Sequence, residues 1–342
     1  MLKSLLARLF DWLRTAAGMT ILATIVITVA ATIDRGPYIL VNTIVTGGML
    51  ALVSMGLALV FGVMSIPSFV HGEYFMIGGL TAYFIITPLQ NYLQAHPNGV
   101  LNVLAPFIAI GGATVVGAVA GALTERLVFR ELRRRNRTNW VMNCFLLTVG
   151  LNVILVNGHQ LLFGADFKGI VNYFTGPPLQ IMGVYVSLDR AIAFTLSIVV
   201  IVGFGMFMRY TRTGRAIRAV SQDETGAMIV GINLEGIMLL TMALGCALAA
   251  VAGSSLLFMY PSYPTSGLEP LYLAWFVVII VGLGNVMGAL VGGFMVALFK
   301  VLTVEYIGSG WDFVVPSALI MLVLLLKPNG IFGSEVRGVL DQ

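Results

Sequence analysis

Apolar runs of roughly 20 residues recur along this chain from residue 19 to residue 327, each long enough to cross a ~30 Å hydrocarbon core. Nothing else constrains the fold as strongly. Inside lipid every backbone N–H and C=O must find its partner within the protein, which leaves helices or closed barrels. The runs are continuous and not alternating, so they predict helices. Composition agrees: of 342 residues, 58% are hydrophobic and 10% charged, against about 25% charged in a soluble domain. The expected fold is all-α, a polytopic transmembrane helical bundle.

Spans are expected near residues 19–33, 38–63, 69–88, 100–124, 140–163, 190–208, 235–259, 271–283, 286–303 and 313–327. All but Arg35, Lys168, Arg190 and Lys300 of the 19 Lys and Arg fall in four segments: Lys3 to Arg14, Arg126 to Arg137, Arg209 to Arg218, and the tail with Lys327 and Arg337. Such clusters mark the cytoplasmic side. They share one side only if 271–303 holds two short spans, which gives ten spans with both termini in the cytoplasm. Residues 1–18 then form a cytoplasmic amphipathic segment ahead of an uncleaved first span. Residues 19–330 are the membrane domain and 331–342 a cytoplasmic tail. The loop 164–190 lies on the other face. Its stretch VNYFTGPPLQIMGVYVSL sets Pro-Pro and Gly turn signals among β-branched and aromatic residues, the mark of a small hairpin or docking platform. The net charge of +4 requires no nucleic acid partner. Cys144 and Cys246 lie inside apolar runs and read as small core residues, with no disulfide framework.

Gly117 with Gly121, and Gly288 with Gly292, form small-xxx-small pairs suited to close helix packing in lipid. The segments VFGVMSIPSFVHGEYFMIGGLTAYF and IIVGLGNVMGALVGGFMVALF each place a break and a Gly-Gly pair between apolar runs. That is the pattern of an internal repeat with broken helices, or a chance similarity of two Gly-rich segments.

The first of these segments carries the ionisable pair His71 and Glu73. Pro67 should break the helix after Ile66. Ser68 is then a candidate cap for the helix that restarts, with Glu73 complementing its dipole. Ionisable groups at membrane depth are functional candidates with a partner to be named, and Arg218 or another nearby cation is one such partner. Two readings stand: a structural or gating role at a broken helix end, which we prefer, or the inner lining of a solute pathway. A second polar series, Cys144, Thr148, Asn152 and His159, falls within about 80° of one helix face. It fits a pathway wall or interhelical hydrogen bonds equally. No charged pair in the membrane core would clamp a zwitterion. The spacing of His71, Glu73 and His159 matches no metal-ligand pattern, and no metal or cofactor is expected.

Residues 211–233, TRTGRAIRAVSQDETGAMIVGIN, form an amphipathic cytoplasmic segment longer than a helix connection needs. Gly214, Gly226 and Gly231 are expected to divide it into short helices. Its apolar side would have no partner in a lone subunit, which points to docking of another protein. Ala216, Ala219 and Val220 would form the docking centre, ringed by Arg215, Arg218, Asp223 and Glu224.

Three motifs carry a family resemblance. GLALVFGVMSIPSFVHGEYFMIGG resembles a Gly-rich run ending in an aromatic-Ala-His-Gly-Glu signature, with Val70 in place of the alanine. TGRAIRAVSQDETGAMIVGIN is similar to a Gly-Arg-Ala…Arg-Ala…Asp…Ala…Gly-Ile segment. VGLGNVMGALVGGFMVAL with LLLKPNGIFG matches a Gly-rich, Pro-x-Gly ending, with Leu283 and Met287 departing from the usual glycine and proline. Over residues 40–334 the chain resembles permease subunits of branched-chain amino acid ABC importers, the leucine/isoleucine/valine permease family, with urea permeases as relatives. The resemblance implies a multi-pass protein of the bacterial inner membrane. Its partners would be a homologous second permease, two cytoplasmic ATPase subunits and a periplasmic solute-binding protein. The coupling residues would be Gly214, Arg215, Ala216, Arg218, Ala219, Asp223, Ala227 and Gly231. The pathway or gating residues would be His71, Glu73, Thr148, Asn152 and His159. The implied solute is a branched-chain or other hydrophobic amino acid, with urea, short amides and small aromatic or organic acids as alternatives. The chain has no GxxxxGK[ST] phosphate loop, so ATP hydrolysis falls to other subunits and no enzyme activity is expected. An ion-coupled transporter would carry a midmembrane acid or ion site, for which only Glu73 qualifies. Nothing resembles a channel selectivity filter.

Overall fold

The computed structural model describes residues 16–96, 98–135, 140–170, 173, 177–181, 183–327 and 330–331. Except for residues 16–18 and Ile331, the expected N-terminal segment and C-terminal tail lie outside the described residues. The helices are α1 (Ala16–Arg35), α2 (Tyr38–Met64), α3 (His71–Ala95), α4 (Gly99–Thr124), α5 (Arg130–Arg135), α6 (Trp140–Phe163), α7 (Leu188–Tyr210), α8 (Arg212–Gln222), α9 (Glu224–Ile229), α10 (Leu234–Leu256), α11 (Leu268–Val281), α12 (Val286–Tyr306) and α13 (Val314–Leu326). A π-helical turn, Glu125–Phe129, joins α4 to α5. The hairpin expected in the 164–190 loop is present: β1 (Leu179–Ile181) pairs antiparallel with β2 (Val184–Val186).

Each of the ten expected runs is a helix. Eight helical stretches are long and apolar enough to cross a bilayer. The other two are α3, which carries His71, Glu73 and Pro88, and α11. With 14 residues, α11 is only ~21 Å long, shorter than the ~30 Å core.

α2 is apolar all round and buried on nearly every face, as a central helix must be. It packs most extensively on α12, while α10 packs on α3 and α4. Close approach makes these contacts possible. A Cβ on Gly293 of α12 would sit 2.6 Å from the Ala51 nitrogen of α2, and one on Gly121 of α4 would sit 2.7 Å from Cβ of Cys246 on α10. The small-xxx-small pairs are packing devices too: a Cβ on Gly117 would sit 2.4 Å from the Ala250 Cβ, and one on Gly292 2.4 Å from a Val281 methyl. Both cysteines are buried and free.

Both similar segments are helix–break–helix units, and their breaks meet. α2 ends at Met64 with Ser65 in the left-handed region, and α11 ends at Val281, followed by Gly282 and Gly284 at positive φ. A Cβ on Gly62 would lie 3.0 Å from the Gly284 Cα. Ser68 is not the cap of the restarted helix. The cap position is Val70, with no side-chain bond, and the Ser68 hydroxyl is buried without a partner among the described residues.

The helix ends define two opposite ends of the bundle. One gathers the arginines: Arg130 and Arg134 pair with Glu235, and Arg133 pairs with Glu125. α8 and α9 belong to this end. The other end carries the β-hairpin. There Arg35 lies 3.7 Å from Glu305, Tyr306 donates to Asp34 over 2.6 Å, and Arg190 donates to Asn42 over 3.1 Å. At the hairpin end the Tyr173 hydroxyl lies 3.0 Å from Asn102, and burial pushes its pKa up.

Candidate functional site

His71 and Glu73 stand in the first turn of α3, both with no exposed surface. The break that precedes them is gripped by α6. The Phe69 N–H donates to the Thr148 hydroxyl over 3.2 Å, and Thr148 in turn donates to the Phe145 carbonyl over 2.8 Å. The Asn152 amide donates to one Glu73 oxygen over 2.8 Å. Two turns further along α6, His159 Nδ1 lies 2.9 Å from the Met76 sulfur. Cys144, Thr148 and His159 are the buried residues of α6, so this helix meets the bundle along its polar stripe. The two polar sets that the sequence left separate form one clasp, in which Thr148, Asn152 and His159 of the stripe contact α3 and the break before it. The hydrogen-bond partner of Glu73 is Asn152, while Arg218 lies on the exposed face of α8. Beneath the clasp the Phe69 ring stacks on Trp275 at 5.7 Å and meets Phe145 edge-on at 5.6 Å.

Above the clasp, toward the hairpin end, lies a cavity of about 500 Å³. On α2 its wall runs from Tyr38 to Val53, ~22 Å of helix. Deep in it the wall is apolar: Met49, Leu50, Val53 and Phe75. Near the hairpin end it carries Asn42, Arg190, Glu269, Lys300 and Asp312. Lys300 pairs with Glu269 and lies 3.6 Å from Asp312. The floor is a layer of backbone contacts. A Cβ on Gly56 would sit 2.5 Å from the Gly245 carbonyl and 2.9 Å from His71 Nε2, and one on Gly72 would sit 2.4 Å from the Gly267 carbonyl. His71 packs into this layer, and neither it nor Glu73, Thr148, Asn152 or His159 lines the cavity. Sequence reasoning missed this cavity. The signal was present in Arg190 and Lys300, isolated cations within or beside apolar runs.

At the arginine end the 211–233 segment folds into α8 and α9. Thr211 caps α8, accepting from the Gly214 N–H over 2.9 Å. Asp223 caps α9, accepting from the Gly226 N–H over 2.9 Å. Asp223, extended at φ −153°, makes the break, not the glycines at 214 and 226. Gly214 instead lets α8 close on α7, since a Cβ there would sit 2.6 Å from the Met208 Cα. Gly231, at φ +84°, ends the pair. The apolar side of α8 does have a partner within the chain. Ile217 and Val220, with Ala227 of α9, are buried against the bundle. Val220 is therefore an anchor and not part of a docking centre. Ala216 and Ala219 are half-buried, and Arg215 and Arg218 are exposed. The free apolar surface is instead Met228, Ile229 and Val230, exposed by 48%, 81% and 75%.

The sequence profile of the branched-chain amino acid transport system permease components matches residues 39–324. The chain belongs to this permease family. It is 29% identical over 297 residues to the high-affinity branched-chain amino acid transport system permease protein LivH of Escherichia coli, covering 85% of this chain and 94% of LivH. It is 31% identical over 300 residues to the corresponding protein BraD of Pseudomonas aeruginosa, covering 86% and 94%. With a probable LivH of Methanocaldococcus jannaschii it shares 29% over 314 residues, covering 87% and 92%. No solved structure matches. The permease profile begins at the second residue of α2, so α1 stands outside it. The profile ends within α13 and takes in both broken segments, the clasp, the cavity and the α8–α9 pair.

Proposed function

We propose that this permease is the membrane subunit of an ATP-binding cassette importer, resident in the bacterial inner membrane, that carries branched-chain or other hydrophobic amino acids into the cytoplasm. It works with a homologous second permease, two ATPase subunits on the cytoplasmic side and a periplasmic solute-binding protein. The arginine end faces the cytoplasm, and the hairpin end receives the binding protein. The observation that carries this reading is the α8–α9 pair. A family member without a phosphate loop seats a short amphipathic pair on its bundle through Ile217, Val220 and Ala227, and leaves Met228, Ile229 and Val230 exposed at α9 and Arg215 and Arg218 exposed on α8. An apolar centre with a charged rim is the anatomy of a protein interface.

The deciding experiment is ATP hydrolysis in proteoliposomes. The purified chain alone should hydrolyse none. The assembled ATPase and permease subunits should hydrolyse ATP faster when leucine-loaded binding protein is supplied. ATPase activity from the single chain, or an assembled rate indifferent to loaded binding protein, contradicts the reading.

A further inference from the structure

A second cleft, of about 270 Å³, lies at the arginine end between the π-helical turn and the start of α10. Its position marks where hydrocarbon ends. The 26 residues of α4 carry no charge, and Glu125 and Arg126 follow them directly. On α10 the charge stops at Glu235, and the helix is uncharged from Gly236 to Leu256. Both limits fall on the cleft, which places it at the depth of lipid phosphates. The π-helical turn sorts its own charges. Glu125, 1% exposed, turns inward and pairs with Arg133, while Arg126 and Arg130 line the cleft together. Glu235, on the opposite wall, is shared by Arg130 and, at 3.5 Å, Arg134. Arg126 is exposed and pairs with no carboxylate among the described residues. Four cations (Arg126, Arg130, Arg133 and Arg134) thus meet two carboxylates (Glu125 and Glu235), which leaves two positive charges in excess. The adjacent Arg135 is already matched by Glu131. One turn deeper in the bilayer than Arg126 the surface is apolar: Leu123 is 50% exposed, and Leu239 lines the cleft from α10. Uncompensated cations at phosphate depth, above an apolar surface, suit a ligand with an anionic head and a hydrocarbon tail.

We propose that this cleft binds an anionic phospholipid of the leaflet at the arginine end. The lipid phosphate sits between the guanidinium groups of Arg126 and Arg130, and an acyl chain runs along Leu123 and Leu239. No ion pair has to break. Arg130 holds Glu235 through Nη2, which leaves Nη1 to donate to the phosphate, and Arg126 has no described carboxylate to give up. The site belongs to the chain itself and needs neither the transported solute nor a partner subunit.

The test titrates the purified full-length chain in detergent with dioleoylphosphatidylglycerol or dioleoylphosphatidylcholine and reads bound lipid by native mass spectrometry. The cleft predicts one phosphatidylglycerol held about tenfold more tightly than phosphatidylcholine. Arg126→Ala should weaken it about fivefold, the contribution of one cation near an anionic membrane surface, and Arg126→Lys should keep most of the binding. Arg135→Ala removes the same charge at the same end but outside the cleft, and should leave binding unchanged. The exposed position of Arg126 predicts an unaltered unfolding midpoint for Arg126→Ala, so a loss of lipid is not a loss of fold. A phosphatidylglycerol carrying a diazirine near the top of one acyl chain should label Leu123 or Leu239. Equal retention of the two lipids, binding unchanged in Arg126→Ala, an equal loss in Arg135→Ala, or labelling confined to other helices overturns the proposal. Displacement of the lipid by millimolar glycerol 3-phosphate also overturns it, and assigns the cleft to a soluble phosphate.

Discussion

Asn152 on α6 donates a hydrogen bond to the buried carboxylate of Glu73 on α3 over 2.8 Å. This contact joins an otherwise peripheral helix to the break at the centre of the bundle. The other Glu73 oxygen has no partner among the described residues, so the site depends on one amide. Asn152→Leu removes that amide and leaves a buried acceptor unmet, a loss of ~1–3 kcal/mol. Pairing it with Glu73→Met removes the unmet acceptor too, and stability should partly recover. Thermal unfolding of the purified variants reads both. A double variant less stable than Asn152→Leu by the full cost of Glu73→Met shows that the two residues do not interact.

The floor layer makes a second prediction. Gly72→Ala places a Cβ 2.4 Å from the Gly267 carbonyl, whereas a Cβ on Gly150 of α6 meets nothing within 4 Å. Overpacking against backbone costs ~1–3 kcal/mol. Gly72→Ala should lower the unfolding midpoint by several degrees, and Gly150→Ala should leave it in place. Equal midpoints for the two would mean that α3 and the start of α11 are not in contact.

The coupling surface can be read by contrast between neighbours. Ile229 is 81% exposed and Val220 is 4% exposed. Ile229→Asp should preserve folding of the chain but weaken capture of the ATPase subunits at least tenfold, since a central apolar contact is worth ~2 kcal/mol. Val220→Asp should unseat α8 and destabilise the chain itself. Arg215→Ala, at an exposed position, should shift capture little, as a rim charge contributes ~0–1 kcal/mol. Full capture by Ile229→Asp removes this surface from the account.

Orientation follows from the same placement. With both native cysteines buried, a single new thiol reports its side. Tyr185→Cys in the β-hairpin, 70% exposed in the native chain, should react with an impermeant reagent in intact cells. Ile229→Cys should react only after permeabilisation. The reverse pattern inverts the topology.

The sequence made the helices legible because lipid imposes a single test, an apolar run of sufficient length, and each run became a helix. It also showed the breaks, since Pro67 and the Gly282–Gly284 turn are local signals. Partners were harder. The stripe on α6 and the His71–Glu73 pair lie 79 residues apart at the Asn152–Glu73 contact, and no local pattern links them. The apolar face of α8 was correctly seen, but its target was not: Ile217 and Val220 turn inward because α2, α7 and α10 leave a seat for them. The cavity was invisible for a related reason. Part of its wall comes from a loop, residues 257–267, whose depth is set by the contact of Gly267 with Gly72 and not by its own composition.

The most direct test is accumulation of labelled leucine in proteoliposomes holding ATP, the ATPase subunits, the second permease and external binding protein, with and without this chain. The account predicts uptake that needs all components and collapses when Ile229→Asp replaces the native chain. ATP-independent uptake by this chain alone, or full uptake in its absence, would contradict it.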